Sequence, residues 1–398
     1  MSTPARPLEG ITVVSLEHAI AAPFCTRQLA ELGARVIKIE RLSGGDFARA
    51  YDNRTNGLAS HFVWANRSKE SLAIDLKKDE GLLVLQALLK DADVLVQNLA
   101  PGATARMGLD FATLHPINPR LVVCDISGYG MSGPYHHKKA YDLLIQSEGG
   151  FLSVTGGPGK GDFAKAGCSI ADIAAGMYAY TNILSSLMLR DKTGKGSHID
   201  LSMLESLVEW MGFPLYYAYD GASPPARAGA SHSTIYPYGP FPVGDGGTVM
   251  LGLQNEREWA SFCEKVLHLR NLTNDERFKS NARRSENRAE LRAIIIETFS
   301  QLTTDLVVQR LNEAPIASAR VNDMHDVWRH PQLQARERWT VVDSPAGPLT
   351  TLLPPGINSA FTPSLGPIPA LGEHNEVILA ELGYQPTDIQ ELISRGVL

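Results

Sequence analysis

One carboxylate stands apart in this chain. From Lys165 to Arg190 the sequence reads KAGCSIADIAAGMYAYTNILSSLMLR, and between those two basic residues every side chain is apolar, small or neutral except Asp172. Apolar residues recur through Ile173, Met177, Tyr180, Ile183, Leu184 and Leu187 at a spacing that predicts a core helix. Ser, Asn and Gly are too frequent in it for a lipid-spanning segment. A carboxylate taken out of water needs a charge partner, hydrogen bonds or a proton. Asp172 falls in the first turn, after Gly167 and Ser169, where free N–H groups and the helix dipole favour negative charge. Two readings stay open from the local residues: a helix cap or buried ion pair, and a carboxylate held at the mouth of a site as nucleophile or base.

The elements around it alternate between strand and helix. Ile11 to Leu16 (ITVVSL) reads as a buried strand, and Pro23 opens a helix that Gly33 closes. Arg35 to Glu40, Ser71 to Leu76, DVLVQNL ending at Asn98 and Leu99, LVVCDISGYG and SHIDLSM follow as strands, with helical stretches between them. This pattern predicts an α/β fold with a Rossmann-like, doubly wound parallel sheet whose ligands sit at the carboxyl ends of the strands. Asn98, Ser127, Gly128 and Tyr129 lie at such ends. The first turn, EHAIAAP, lacks the G-x-G-x-x-G of a dinucleotide site. Composition marks the expected boundaries. Residues 1–203 form a large α/β domain completed by 365–398, 204–233 a linker rich in Pro, Gly and Ala, 234–310 a small α+β domain, and 311–364 a linker back to the large domain.

The chain has 398 residues, 20% of them charged, and a net charge of -6, with no basic excess to suit nucleic acid. Its start, MSTPARPLEG, has no apolar signal region, so no membrane role is expected and a cytoplasmic location fits. Cys25, Cys124, Cys168 and Cys263 are far apart, without C-x-x-C spacing, and the eleven histidines form no ligand pattern, so no metal is expected.

Several segments together carry a family resemblance: LEGITVVSLEH, PFCTRQLAELGARVIKIE, NLAPGATARMG, SGYGMSGPY, AYDLLIQSEGG, ADIAAGMYA, DKTGKGSHIDLSMLES and LGEHNEVILAELGY. In order and spacing the chain resembles the class III CoA-transferases, the CaiB/BaiF family. The resemblance implies an interlocked homodimer in which Asp172 is the covalent nucleophile, with Tyr141 and Asp142 as orienting groups beside it. It implies coenzyme A or acyl-CoA as substrate and no permanently bound cofactor. By match, His18, Ala19, Arg41, Ile74, Lys77, Asn98, Leu99, Arg106, Met107, Lys139 and Met203 fall at CoA-binding positions. Backbone N–H groups at the start of the Asp172 helix are expected to stabilise the oxyanion of each tetrahedral step. EHAIAAPFCTRQLA and GDFARAYD resemble members that act on short dicarboxylates, with succinyl-CoA as donor and itaconate, mesaconate, citramalate, malate or glutarate as acceptor. A second carboxylate on the acceptor calls for a cationic partner, for which His18, Arg49 and His232 are candidates. Two alternatives sit on the same fold. An α-methylacyl-CoA racemase pairs its Asp with a His, but Tyr141 stands in that place, and His136 and His137 are the nearest histidines. A non-catalytic CoA-binding protein would have no use for an intact Asp172. Where some members carry a run of glycines that closes over the intermediate, this chain reads AGASHSTIYPYGPF.

Overall fold

In the computed structural model, which describes residues 6–398, the β-branched runs pair as one sheet. Its strands are β1 (Thr12–Leu16), β2 (Arg35–Glu40), β3 (Lys69–Ala73), β4 (Val94–Gln97), β5 (Val122–Ser127) and β6 (His198–Ser202). The order is β3-β2-β1-β4-β5-β6 and every pairing is parallel, with Val14 opposite Ile37 on one side and Leu95 on the other. The chain leaves β1 toward one edge and returns to β4 on its other flank. The carboxyl ends of β1 and β4 therefore bound the switch point where such sheets hold ligands.

Helices used below are α1 (Ala21–Glu31), α2 (Asp79–Asp91), α3 (Asp142–Glu148), α4 (Ile170–Thr193), α5 (Met203–Trp210), α6 (Asn375–Glu381) and α7 (Pro386–Ser394). Strand alternation divides the side chains between two layers. Val14, Leu16, Ile37, Ile39, Leu72 and Ile74 pack with Val84, Leu85 and Leu89 of α2 and with Ile378, Leu379, Ile389 and Leu392 of α6 and α7. The opposite face carries Val13, Ser15, Val36 and Lys38, all buried, on the side covered by α1 and α4.

α4 presents a different face to the core than its large apolar residues predict. Its buried positions are Ala171, Ala174, Ala175, Gly176, Ala179, Ile183, Leu187 and Arg190, whereas Ile173, Met177, Tyr180 and Leu184 are only partly buried. The reason is close approach to α1: a Cβ on Gly176 would lie 2.7 Å from the Ala21 carbonyl oxygen and 3.0 Å from Phe24. β3 begins and ends earlier than the apolar run, because beyond Ala73 the chain turns to other partners, with the Asp75 N–H on the Val397 carbonyl.

The contacts divide the chain into two units. One takes in the residues up to Gly150, Ala166–Gly212 and Ala335–Leu398; the other comprises Phe151–Lys165 and Phe213–Gln334. In the second unit β7 (Tyr238–Pro242), β8 (Thr248–Gly252) and β9 (Ala317–Arg320) form an antiparallel sheet over a core that includes Trp259, Phe262, Phe278 and Phe299. In the first, the hairpin of β10 (Trp339–Val342) and β11 (Leu349–Leu352) buries Val342 and Leu349 against Ala48, Ala59 and Phe62. Stretch 311–364 thus supplies strands to both units. Among the described residues, no helix is long and apolar enough to cross a membrane.

Candidate active site

Asp172 sits in the first turn of α4, but it is not the cap of that helix. Ser169, at the N-cap position, makes no side-chain bond there. The cap is Asp142, the first residue of α3: its Oδ1 accepts the N–H of Ala171 at 2.8 Å and that of Asp172 at 3.4 Å. Its Oδ2 accepts from Gln146 Nε2 at 2.7 Å, and Gln146 Oε1 accepts the Ala166 N–H at 2.9 Å. The Ile173 N–H donates to the Ser169 carbonyl and that of Ile170 to Cys168. All four N–H groups at the start of α4 are thereby engaged, and the oxyanion donors expected from this turn are not free. Among the described residues, nothing hydrogen-bonds or ion-pairs with the Asp172 carboxylate. Burial, and then the neighbouring Asp142 charge, push its carboxyl up to about 7. A partly buried carboxylate that ionises near neutrality has the chemistry of a nucleophile or base.

Two phenols share this neighbourhood. Tyr141, next to the cap, is 70% exposed. Tyr51 was missed by sequence reasoning, which singled out its loop only for Arg49. Burial raises its hydroxyl, and Asp46, Asp172 and Tyr141 add to that, which marks their proximity. Its ring meets His61 edge-on at 5.5 Å.

At the switch point lies a cleft of about 650 Å³ in which six of the predicted CoA-binding residues come together: His18, Arg41, Ile74, Lys77, Leu99 and Met107. Leu42, Leu76, Ala100 and Ala103, which no motif marked, complete much of its wall. Its lining is largely apolar, with Arg41 and Lys77 beside the carboxylates of Glu17, Glu40 and Asp75, suited to a long, mostly apolar ligand. Arg41 donates to the Gly45 carbonyl at 2.7 and 3.1 Å and lies 4.2 Å above the Phe47 ring, which meets His18 at 5.0 Å. Leu99 is fixed by its N–H on Gln97 Oε1, and Gln97 by Asp125.

A model of CoA-transferase family III matches residues 8–375. The chain belongs to CoA-transferase family III. It is 33% identical over 397 residues to a human succinyl-CoA:glutarate CoA-transferase, covering 99% of this chain and 90% of that protein. It is 31% identical to a succinyl-CoA:mesaconate CoA-transferase of Haloarcula hispanica, covering 94% and 96%. A crystal structure of a CaiB/BaiF family protein from Brucella suis superposes with a TM-score of 0.85 at 34% identity, covering 95% of this chain and all of that one.

The remaining predicted residues of this CoA-transferase are placed as follows. Asn98 does not line the cleft; it brackets His18, accepting its N–H and donating to its carbonyl, each at 2.9 Å. Ala19 has φ +60, a left-handed conformation that costs a residue with a Cβ roughly 1–2 kcal/mol. Arg106 is exposed beside Met107, Lys139 is exposed in the loop before α3, and Met203 is buried at the start of α5. Lys138, next to Lys139, reaches Glu148 and lies over the rings of Tyr129 and Tyr135, which braces that loop. His136 and His137 are on the same loop, their ring centroids 3.6 Å apart. Arg49 is engaged: it grips Glu40 through two bonds of 2.7 and 2.8 Å and lies 3.7 Å over Phe62. That pair, with a 3.2 Å bond from Arg49 Nη1 to the Pro369 carbonyl, orders the loop. His232, in the second unit, accepts the N–H groups of Thr234 and Ile235 at Nδ1, which assigns its proton to Nε2.

Under the cleft the family III chain carries a sealed ionic cluster of Glu17, Lys38, Asp46 and Lys69. Lys38 Nζ lies 2.7 Å from Asp46 and 3.3 Å from Glu17; Lys69 Nζ lies 2.7 Å from Glu17 and 3.0 Å from the Pro23 carbonyl. Burial alone would raise the Glu17 carboxyl, but Lys69 and Lys38 outweigh it and bring it down to about 2. Burial brings Lys69 down to about 8 against the pull of Glu17. Strand alternation in RVIKIE, which sets Lys38 on the face of Val36, was the signal available for this cluster.

Proposed function

We propose that this CoA-transferase moves CoA from succinyl-CoA to a short dicarboxylic acid such as itaconate, mesaconate, citramalate, malate or glutarate, through covalent intermediates on Asp172. The observation that carries the reading is the Asp172 carboxylate itself, unpartnered at the start of α4 with its carboxyl near 7. The substrates named for the human and Haloarcula relatives support the dicarboxylate class.

In this scheme Asp172 attacks the thioester carbonyl of the donor, the C–S bond breaks, and CoA leaves as thiolate, giving a mixed anhydride of Asp172 and the donor acyl group. The thiolate attacks the aspartyl carbon, which forms an aspartyl-CoA thioester and releases the donor acid. The acceptor carboxylate attacks that thioester, freeing thiolate and forming a second anhydride. Attack of thiolate on the acceptor carbon gives the new acyl-CoA and restores Asp172. Each step exchanges one activated acyl bond for another, so the thioester energy is conserved without ATP. Asp142 keeps the start of α4 in place and raises the basicity of the nucleophile; the cleft at the switch point holds CoA. His18, Arg49 and His232 are the acceptor-carboxylate candidates. The active species is proposed to be a homodimer.

The test is mass analysis of acyl-CoA products in D₂O, with succinyl-CoA and a panel of short dicarboxylates, for wild type and Asp172→Ala. New acyl-CoA species that vanish in the variant are expected. Deuterium gained at the α-carbon of a branched acyl-CoA without acyl exchange would establish a racemase instead.

A further inference from the structure

We infer that Asp46, balanced by Lys38, is a positioning residue: it sets the backbone of the turn after β1, and so the place of His18 in the cleft, without touching substrate. Asp46 is fully buried, so its carboxylate acts only through what it holds. Its Oδ1 accepts the N–H of Ala19 at 3.0 Å and that of Ala48 at 2.9 Å, which ties the turn after β1 to the loop after β2. Ala19 is the residue in the left-handed conformation, so this bond holds the strained point of the turn.

The charge on Asp46 is tolerable there only because Lys38 lies against it at 2.7 Å. Lys38 also reaches Glu17, the last residue before His18, and Lys69 ties Glu17 to the Pro23 carbonyl in α1. The cluster therefore grips the turn at residues 17, 19 and 23, while Asn98 brackets His18 from β4. Apolar side chains could have filled this space at lower cost in desolvation; charged ones fix particular backbone atoms.

This inference rests on the reading that the cleft takes CoA. The test is calorimetric titration of the full-length protein with CoA, alongside acyl-CoA kinetics and thermal melts. Asp46→Asn keeps an acceptor oxygen but removes the charge facing Lys38, and CoA binding is expected to weaken about tenfold. KM for acyl-CoA should rise in parallel while kcat per folded site stays within about threefold. Adding Ala19→Gly, which adopts positive φ without penalty, should recover about threefold of the lost affinity.

A purely structural role predicts a lower Tm with an unchanged Kd per folded site, and that result overturns the inference. If Asp46→Asn does not fold, Thr26→Val takes its place: it removes the Thr26 hydroxyl contacts at 2.6 Å to Glu17 and 3.4 Å to the Pro23 carbonyl, and so loosens the same grip on the turn. About threefold weaker CoA binding is then expected, and an unchanged Kd sinks the inference equally. A wild type that binds no CoA would overturn the reading of the cleft itself.

Discussion

In the proposed mechanism Asp172 and Asp142 divide two tasks that one carboxylate cannot perform at once. A cap spends its oxygens on N–H donors; a nucleophile gains reactivity when deprived of such donors. The structure gives the donors to Asp142 and leaves Asp172 with burial and a like charge. In the proposed mechanism ionised Asp172 is the reactive form, so kcat/KM should rise with pH through about 7 and level off above it. Asp142→Asn removes the like charge and should move that limb to lower pH; a limb that stays in place would mean Asp142 acts by capping alone. Stability should run the opposite way. The carboxyl titrates higher in the folded chain than in the unfolded one, so wild type loses stability relative to Asp172→Asn as pH rises from about 4 to about 7. Thermal melts of both proteins at pH 4, 6 and 8 check the sign, and a gap that narrows with rising pH would contradict it.

At the scale of elements, the placement of Asp172 depends on how closely α1 and α4 approach. Gly176 is one turn beyond Asp172, and its lack of a Cβ lets the α1 backbone pass at the Ala21 carbonyl. Gly176→Val forces either helix to move, which overpacking data put at about 1–3 kcal/mol. A lowered Tm and a lowered kcat are expected together, because α4 carries both the contact and Asp172. An unchanged Tm would show that α1 can yield without cost. The small residues that make this helix unsuited to span a lipid bilayer are what this packing requires.

At the scale of the molecule, each unit leaves large apolar side chains in water. Met188, Leu189 and Trp210 are exposed in the first unit, and Phe213, Tyr216 and Tyr219 in the second. A second copy covering such side chains would take them out of water. Sedimentation equilibrium should therefore give twice 43.3 kDa across micromolar concentrations, and a mass of 43.3 kDa would remove the homodimer from the proposal.

What the sequence by itself determined follows from periodicity and composition. Alternating runs of β-branched residues and helical spacings specify a parallel α/β sheet, because each pattern buries its apolar side in only one kind of element. The isolation of Asp172 in an uncharged stretch marked the position where a carboxylate must be explained, and the motif order placed six residues that the fold brings into one cleft. Only the tertiary structure decided which carboxylate caps α4, because Asp142 and Asp172 are thirty residues apart and the choice is made by a 2.8 Å contact between helices. The same holds for Arg49, which reads as a free loop charge until Glu40 is seen beside it. It holds too for the ionic cluster, whose four members come from β2, β3 and the loops after β1 and β2. Local sequence reports what a residue prefers; which partner satisfies it depends on distances that exist only once the sheet has formed.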